Sequence, residues 1–531
     1  MRKEVRSPDR ARQGFVRHGW MRFCGAASLA LACSPAVATN GYFAHGYSAS
    51  QSALGGAGTA LTEDALIATI NPAGEEWVND RLDVNLGFFI PVRDYQSSER
   101  GSGAQQGIFN INPAGITSGH ELFGIPGIAA KWTIDDQSSW GISMFGNGGM
   151  NTDYRGNSAR FAQGMQLAVG PATLVNFETE CQGTFGGGQP VPGVSDDQHL
   201  CGYGKADAGV DLIQLFITPF YSHKVGDRSS VGIEPIIAAQ RFQAHGLNAF
   251  AKFSNAPDKV SDNSFDYSYG GGARIGFLTG VIPGVGIGAS YQSRIWMSRF
   301  KRYAGLFAGG GGFDIPSSYN VGVSVHLTPD QRIAVDWQHI NYHEIRSVGN
   351  NLDPNAFING CGIPVLLSEF VANNPAFGAL ITPPPKDPST CLGASTGPGF
   401  GWRDVNVYKL GYQVRFAAFK FRLGYSLNRQ PVPSTQVLFN VLAPGVVEQH
   451  YTGGLSYAYS DNWSFDLALM YAHTHPVTGK NPLSNTSATA LDLAGFGSST
   501  ANAFGPDPND QDLRLNMHQF EAVLGLSYYF H

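Results

Sequence analysis

The sequence is poor in charged residues and lacks long apolar runs. Only 14% of its 531 residues are charged, whereas an ordinary soluble domain has roughly 25%. Beyond the N-terminal region no apolar run reaches the length of about 18 residues that a membrane-spanning helix needs, which excludes a helical membrane bundle. Aromatic residues make up 12% and glycine numbers 67, a composition that does not suit a disordered chain. We therefore predict an all-β protein, either soluble or embedded in a membrane.

The first 38 residues are predicted to be a secretory leader. Met1–Phe23 carries seven Lys/Arg and two acidic residues, and an apolar stretch over residues 24–37 leads to an Ala-Val-Ala site that ends at Ala38. This order is typical of a signal peptide cleaved after Ala38. Two alternatives stay open, namely a translation start at Met21 and lipoprotein processing at Cys33.

The exported chain is acidic and contains few cysteines. The leader holds seven of the 35 basic and two of the 41 acidic residues, so 28 and 39 remain and the net charge is about -11. This charge argues against a nucleic-acid partner. Four cysteines remain in an oxidising compartment, and we predict loop disulfides Cys181–Cys201 and Cys361–Cys391. The two other pairings and a zinc site stay open, although no Cys-x-x-Cys spacing supports zinc.

Strand patterns recur along the chain. In Arg81–Val92 every second residue is apolar from Leu82 onward, which places one set of side chains on each face of a strand. Thirteen similar segments lie near residues 126–134, 139–150, 209–224, 229–244, 264–278, 284–298, 317–328, 332–345, 402–414, 418–429, 448–459, 463–473 and 513–530. Fourteen segments of roughly ten or more residues have the length of tilted membrane-spanning strands.

The connectors alternate between short and long. Tight polar turns occur near residues 135–138, 225–228, 329–331 and 460–462, and the long loops span about 93–125, 151–208, 245–263, 299–316, 346–401, 430–447 and 474–512. Short turns at one rim and long loops at the other are typical of an up-and-down outer-membrane barrel. A soluble sandwich would have short loops at both ends. The final aromatic segment, Phe520–Phe530, is similar to the assembly signal of such barrels, although His531 follows its last phenylalanine.

The segment before the first strand, residues 39–80, does not show a strand pattern. It contains small residues, an apolar stretch from Ala65 to Ile70 and then Asn71-Pro72-Ala73. About 42 residues are enough for a small plug of short helices inside a barrel. The alternative is a loose N-terminal tail, but apolar residues such as Leu54 and Trp77 need something to pack against.

Several motifs together resemble one family. Asn40–Gly46, Leu54–Gly58, Asp64-Ala65 and Asn71–Gly74 are similar to the N-terminal hatch of the outer-membrane long-chain fatty-acid transporter family (FadL/TodX type), which includes channels for aromatic hydrocarbons. Further similar segments are Gly148–Tyr154, Tyr291–Trp296, Phe313–Pro316, Asp336–Gln338 and Asn440–His450. The resemblance therefore covers almost the whole exported chain.

The resemblance implies a monomeric, fourteen-stranded antiparallel transmembrane β-barrel over residues 81–531, with a small N-terminal helical hatch inside the lumen over residues 39–80. It implies passive uptake of long-chain fatty acids or hydrocarbons across the outer membrane of a Gram-negative bacterium. The ligand would occupy an apolar pocket above the hatch, the hatch would rearrange, and the ligand would leave sideways where the third strand bends inward. The expected partners are a hydrophobic small molecule and membrane lipid, with no cofactor, no metal and no enzymatic activity.

The resemblance also indicates candidate gate residues. Asn71, Pro72 and Ala73 are expected at the end of the hatch near the strand bend, or else they merely end a helix. Gly146, Gly148 and Gly149 lie in the third strand, where interior glycine often marks a bulge or a bend.

Other residues are candidates for ligand contact. Thr39, Tyr42 and Phe43 are expected to border the ligand pocket. The apolar loop segments Leu247–Phe253 and Val437–Val447 are expected to be exposed and to form a first landing groove, or else to pack on each other. A cation for a ligand carboxylate could be any of Lys131, Arg241, Arg294 and Lys409, and the sequence does not choose among them.

Two other function classes remain as alternatives. One is an outer-membrane barrel enzyme such as a lipid hydrolase, and the other is an adhesin that uses its long loops. Gly393–Gly397 fits the nucleophile-elbow spacing but lies in a proline-rich loop, without the strand-turn-helix context that the motif needs. An adhesin has no use for an apolar hatch, so the transporter interpretation accounts for more of the sequence.

Overall fold

The computed structural model describes most of the chain. The described residues are 40–98, 111, 114–119, 121–154, 166–169, 172–176, 184–185, 189–190, 208–362, 364–365, 368, 371–372, 382–483 and 511–530. The predicted leader, Thr39, Cys181, Cys201 and His531 lie outside these residues.

Fourteen long strands form the wall. They are β1 Arg81–Ser97, β2 Phe123–Asp135, β3 Ser138–Asp153, β4 Gly209–Val225, β5 Ser229–His245, β6 Asp266–Ile282, β7 Val285–Gln292, β8 Ser318–Thr328, β9 Gln331–Ile340, β10 Val405–Phe416, β11 Phe419–Asn428, β12 Val447–Ala458, β13 Trp463–Thr474 and β14 Asp512–Tyr529. Each strand pairs antiparallel with its neighbours in sequence, and β14 pairs with β1 from Arg81↔Tyr529 to Ser97↔Leu513. The sheet is therefore a closed barrel, as the sequence predicts.

The period-two pattern separates the side chains of each wall strand into a set that faces the lumen and a set that faces outward. On β1 the side chains of Val84, Leu86 and Phe88 are 38–41% exposed, whereas Asp83 and Phe89 on the opposite face are both 1% exposed. The same alternation recurs on β14, where Phe520 and Leu524 face outward. An apolar outer face and a more polar lumen are what a barrel in lipid requires.

The expected alternation of connectors is confirmed, with small changes in the strand ends. Six tight turns join strand pairs, and seven long loops emerge from the other rim. The seventh strand is shorter than the predicted 284–298, because β7 ends at Gln292 and only Trp296–Met297 pair again, with β6. The ninth strand ends at Ile340 rather than residue 345, since Tyr342–Glu344 form a 3-10 turn.

The remaining elements are short. Helical segments are Ala49–Ala53, Ala65–Thr69, Pro72–Trp77, Asn248–Phe253, Pro257–Lys259, Lys301–Tyr303, Ala308–Gly311, Tyr342–Glu344, Arg346–Gly349, Pro354–Ala356, Phe357–Gly362, Pro388–Thr390, Ser434–Gln436 and Val437–Asn440. Short strands are Ala114–Thr117, Gln166–Val169, Ala172–Asn176, Thr184–Phe185, Gln189–Pro190, Trp296–Met297 and Val477–Lys480. In the part of the chain that the structure describes, no helix has both the length and the apolarity to cross a bilayer.

Residues 40–80 fill the lumen with the first three of these helices, and we call this segment the hatch. Ser48 caps Ala49–Ala53, Asp64 caps Ala65–Thr69 and Asn71 caps Pro72–Trp77, each by accepting a backbone N–H. Leu54, Leu66 and Ile67 are all at most 2% exposed. A packed hatch of short helices replaces the alternative of a loose tail.

A disulfide links Cys361 to Cys391 in the long loop between β9 and β10, with a Cα–Cα distance of 5.2 Å. This pairing confirms the second predicted bridge. The first, Cys181–Cys201, falls outside the described residues and stays a prediction.

Candidate functional site

A buried carboxylate ties the hatch to the wall. Glu63 of the hatch is 5% exposed and lies 3.3 Å from Arg332, 2.9 Å from Lys420 and 3.0 Å from Arg422. Burial alone would raise the pKa of Glu63, but the Lys420 and Arg422 charges hold that pKa well below its usual range. Removing Glu63 would leave these wall cations without their shared partner, so the cluster stabilises the position of the hatch.

A second wall carboxylate holds the hatch backbone. Asp336 on β9 accepts hydrogen bonds from Gly58 N at 2.7 Å, Thr59 N at 2.8 Å and Thr59 Oγ1 at 2.8 Å. Charge-assisted bonds of this kind are stronger than neutral ones. The turn between the first two hatch helices is therefore fixed to β9, the strand that also carries Arg332 of the Glu63 cluster.

Wall glycines allow the hatch backbone to lie directly on the strands. A Cβ at Gly288 would collide with the Thr59 carbonyl, and one at Gly424 would collide with Leu54 and Gly55. Glycine within a strand often marks such a close backbone approach. This explains why so many strand segments in the sequence contain glycine at positions that face inward.

The Asn71-Pro72-Ala73 motif starts a helix and anchors the hatch to β4–β6. Asn71 Nδ2 donates to Thr59 O at 2.8 Å and to Phe277 O at 3.0 Å, while Ser230 Oγ donates to Ala73 O at 2.6 Å. The motif lies between two helices, because Ala65–Thr69 ends directly before it, with Asn71 N donating to Ile67 O at 2.7 Å, and Asn71 is the N-cap of Pro72–Trp77.

The expected position of this motif near the strand bend is wrong. Ala73 O also lies within 3.4 Å of Ser222 Oγ on β4, whereas the bend residue Gly148 pairs with Gln214 on the same strand. Eight strand residues separate Gln214 from Ser222, which is about 26 Å along the strand. The motif sits at the turn end of the barrel, far below the bend.

A β-bulge lies among the glycines of β3. Gly146 pairs with Leu215 and Gly148 with Gln214, so Asn147 is an extra residue in the β3–β4 ladder. The start of the hatch adds to β3 at this point, since Ala44 N donates to Asn147 O at 3.0 Å and Gly149 N donates to Tyr42 O at 3.2 Å. A Cβ at Gly148 would overlap the Tyr42 carbonyl, so glycine permits the contact.

The ladder between β2 and β3 stops at the same level. It runs from Asp135↔Ser138 up to Gly127↔Phe145, and no pair among the described residues joins Gly146–Asp153 to β2. β2 nevertheless continues along β1 to Phe123. The wall therefore has a break between the upper parts of β2 and β3, which we call the β2–β3 break, and hatch residues 42–44 line it from inside.

Tyr42 and Phe43 belong to a buried aromatic cluster above the hatch. The cluster comprises Tyr42, Phe43, Phe313, Tyr342 and Trp402, with the Tyr42 ring 5.1 Å from Tyr342 and 5.8 Å from Trp402. Tyr342 Oη accepts the Tyr42 N–H at 3.1 Å. Burial, followed by the neighbouring Tyr342, raises the pKa of the Tyr42 hydroxyl well above its usual value. The cluster presents neutral rings, which suits contact with an apolar ligand.

The two apolar loop segments pack against each other instead of being exposed. Leu247 and Phe250 are 2% and 3% exposed, and the Phe250 ring lies 5.4 Å from that of Phe439. The expectation of exposure is therefore wrong. A small apolar cavity of about 40 Å³ nevertheless remains between the two segments, and Leu442 is one of the residues that line it.

The four candidate cations are already engaged. Lys131 lies 2.9 Å from Asp80, Arg241 lies 3.0 Å from Asp211, Arg294 lies 2.5 Å from Asp314, and Lys409 Nζ donates to Gly56 O at 3.2 Å. Lys131 and Lys409 are bonded to residues of the hatch segment, Arg294 to a loop residue, and the Arg241–Asp211 pair joins β5 to β4.

Sequence reasoning missed Tyr342 and Trp402 of the aromatic cluster and the Glu63 anchor. Both aromatics lie in the long β9–β10 loop of the structure, although the strand pattern places Tyr342 in the predicted strand 332–345 and Trp402 in the predicted strand 402–414. The period-two pattern of the predicted strand that contains Trp402 does not indicate that the Trp402 ring contacts Tyr42, which lies 360 positions away in the sequence.

Sequence comparisons identify no relative. No protein-family model matches the chain, and no curated protein matches it significantly.

Solved structures do share the fold. A FadL homologue of Pseudomonas aeruginosa superposes with a TM-score of 0.55 at 13% identity, covering 92% of this chain and 100% of that one. The toluene transporter TodX of P. putida gives 0.54 at 13% identity, covering 92% and 99%. The toluene transporter TbuX of Ralstonia pickettii gives 0.50 at 16% identity, covering 92% and 99%. At such identities the likeness establishes the fold, a closed fourteen-stranded barrel with an N-terminal hatch.

Proposed function

We propose that this chain is an outer-membrane channel for passive uptake of hydrophobic small molecules, such as long-chain fatty acids or hydrocarbons. The fold is that of proteins described as a fatty-acid-transporter homologue and as toluene transporters. The apolar outer face suits a lipid environment. None of these three proteins is described as an enzyme, and passive movement down a gradient needs no catalytic group.

One observation carries the proposal: the start of the hatch occupies the β2–β3 break. Tyr42–Ala44 add to β3 through main-chain hydrogen bonds at the Asn147 bulge. Main-chain bonds to β3 and ring contacts with Tyr342 hold this segment there, whereas charged and amide side chains at Glu63, Asp336 and Asn71 fix the rest of the hatch to the wall. The first hatch residues are therefore the part best suited to move.

The proposed path begins between the loops. A ligand lands in the apolar cavity formed by Leu247–Phe253 and Val437–Val447 and passes to the aromatic cluster, where Tyr42 and Phe43 contact it. Thr39, the predicted new N-terminus, would border the same pocket. Transfer between apolar surfaces costs a hydrophobic molecule little, whereas a water-filled pore would offer it no stabilisation.

The proposed exit is lateral. When Tyr42–Ala44 leave Gly146, Gly148 and Gly149, the β2–β3 break connects the aromatic cluster with the membrane. The ligand then reaches lipid without crossing water. Asn71, Pro72 and Ala73 act in this scheme as the fixed end of the hatch, against which its first residues rearrange.

Tryptophan quenching of the refolded, detergent-solubilised barrel tests the ligand class. Trp402 is 1% exposed inside the aromatic cluster, and we expect saturable quenching by oleate, by toluene or by both. The Trp402→Phe variant should lose most of this signal. The matched control Trp463→Phe, which removes a wall tryptophan that is 38% exposed, should keep it. Absence of saturable quenching by either ligand would contradict the proposal.

A further inference from the structure

Arg93 differs from the other buried arginines of the barrel. Arg81, Arg274 and Arg422 each face an acidic partner, namely Asp83, Glu234 and Glu63. Arg93 on β1 is 3% exposed, and no carboxylate of the described residues lies within ion-pair distance of it. Its guanidinium therefore has no direct ion-pair partner among the described residues, and its charge is met there only by the Phe123 ring, whose centroid lies 5.6 Å from the guanidinium carbon.

The guanidinium of Arg93 also has unused donors. One nitrogen, Nη1, donates to Asn151 O on β3. Nε and Nη2 have no hydrogen-bond partner, and the same is true of the nearby Asn151 Oδ1 and of Tyr95 Oη. Buried polar groups are normally hydrogen-bonded, and an unpaired buried donor destabilises the folded protein, more so when it is charged. Such a group is expected only where something else satisfies it.

The position of Arg93 connects it with the proposed path. Its bond to Asn151 reaches from β1 to β3 above the point where the β2–β3 ladder ends. A cavity of about 20 Å³ adjoins it, lined by Gly41, Phe89, Met150, Trp402 and Met517 among others. This volume accommodates a water molecule, so a carboxylate and its apolar tail enter only when the flexible side chains of Met150 and Met517 move aside.

We propose that Arg93 is a specificity-determining residue that binds the carboxylate of an otherwise apolar ligand at the β2–β3 break. The inference rests on the proposed function and narrows its substrate class from hydrophobic molecules in general to those with a single anionic head group. A carboxylate accepts two hydrogen bonds from one guanidinium and supplies the missing negative charge. A hydrocarbon such as toluene does neither.

Three ligands with the same eighteen-carbon chain separate the possibilities: oleate, oleyl alcohol and 1-octadecene. Dissociation constants are measured for each by quenching of Trp402 in detergent micelles. We expect the wild-type protein to bind oleate at least tenfold more tightly than the alcohol or the alkene. Arg93→Gln should reduce this ratio to near one, and Arg93→Lys should retain part of it because the charge remains.

The matched control is Arg241→Gln, which removes an arginine already paired with Asp211 and should keep the oleate preference. Toluene binding reports on folding and should be unchanged in all variants. If Arg93→Gln keeps the tenfold preference, or if the wild-type protein binds all three ligands equally, Arg93 has no such role. If the wild-type protein binds neither these ligands nor toluene, the proposed function itself is wrong.

Discussion

Asp64 and Glu75 place two carboxyl groups inside the hatch, where water does not reach them. Asp64 accepts hydrogen bonds from the hydroxyls of Ser48 and Ser50, yet burial and the nearby Asp83 raise its pKa to about 6. Burial also raises the pKa of Glu75, whose Oε2 has no hydrogen-bond partner. Both groups therefore bind protons more tightly in the folded hatch than in an unfolded chain.

This shift predicts that the hatch is less stable at neutral pH than at pH 4. The stabilisation from protonated Asp64 is fully present below its unfolded pKa of about 3.9 and is lost as the pH rises through about 6. The loss is about 2–3 kcal/mol. Asp64→Asn should remove it, as measured by hydrogen-exchange protection factors of residues 65–77 at pH 4.5 and pH 7. Asp387→Asn, an exposed loop variant, is the control, and an unchanged pH slope in Asp64→Asn would contradict the assignment.

The Glu63 anchor gives a second prediction at the residue scale. Glu63→Gln leaves Arg422, which is 3% exposed, with Asp466 at 3.6 Å as its remaining acidic partner, so the cost falls below the roughly 3–5 kcal/mol of a fully broken buried pair. We expect faster hydrogen exchange throughout the hatch at pH 7, with the wall strands unchanged. Arg415→Gln, which breaks the exposed Arg415–Asp330 pair, should have little effect. Equal protection of the hatch in both variants would show that Glu63 is not an anchor.

At the scale of elements, the contact between the hatch and β3 depends on Gly148. A methyl group there would overlap the Tyr42 carbonyl, so Gly148→Ala should displace Tyr42–Ala44 from β3. We expect ligand affinity to fall about tenfold or more and Tyr42 to become accessible to solvent. Gly124→Ala on β2, where the nearest atom to a new Cβ is 4.0 Å away, is the matched control. Normal binding by Gly148→Ala would exclude a role for this contact.

The loop between β9 and β10 depends on its disulfide. Closing a loop of 30 residues stabilises the folded form by about 3–4 kcal/mol in the chain-entropy model. The double variant Cys361→Ser/Cys391→Ser should therefore make this loop susceptible to limited proteolysis at residues 346–401. The barrel itself should stay folded, so that an unheated sample still migrates differently from a boiled sample on a gel. A loop that stays resistant to protease would contradict this.

The elements differ in how far the sequence specifies them. Each wall strand has one lipid face and one lumen face, so its period-two pattern is visible locally, and the strands and turns were predicted correctly. The ends of β7 and β9 were not, because the chain leaves the ladder at Gln292 and at Ile340 without a change of pattern. The hatch contacts were out of reach for another reason: Gly58 and Asp336 are separated by 278 positions, and no local signal relates them.

At the scale of the whole molecule, the barrel is regular where the hatch is anchored and irregular where the hatch begins. Glu63, Asp336 and Asn71 hold the hatch to the wall, while the Asn147 bulge interrupts β3 and the β2–β3 ladder ends beside it. Glycines at 146, 148 and 149 indicated a bend from the sequence alone. The pairing of residues 42–44 with β3 at this bend could not be predicted from the sequence, because main-chain hydrogen bonds do not depend on a recognisable pattern of side chains.

The central claim is lateral exit at the β2–β3 break, and one deletion tests it. Removing Asn147 takes out the extra residue of the bulge and leaves the β3–β4 pairing continuous. The control deletes Leu327, the extra residue of a bulge near the turn end of β8. Uptake of the ligand identified by quenching is then measured in lipid vesicles containing each barrel.

We expect the Asn147 deletion to fold, to bind ligand and to lose at least tenfold in uptake, while the Leu327 deletion transports normally. Uptake by the Asn147 deletion at the wild-type rate, with binding intact, would contradict lateral exit at β3.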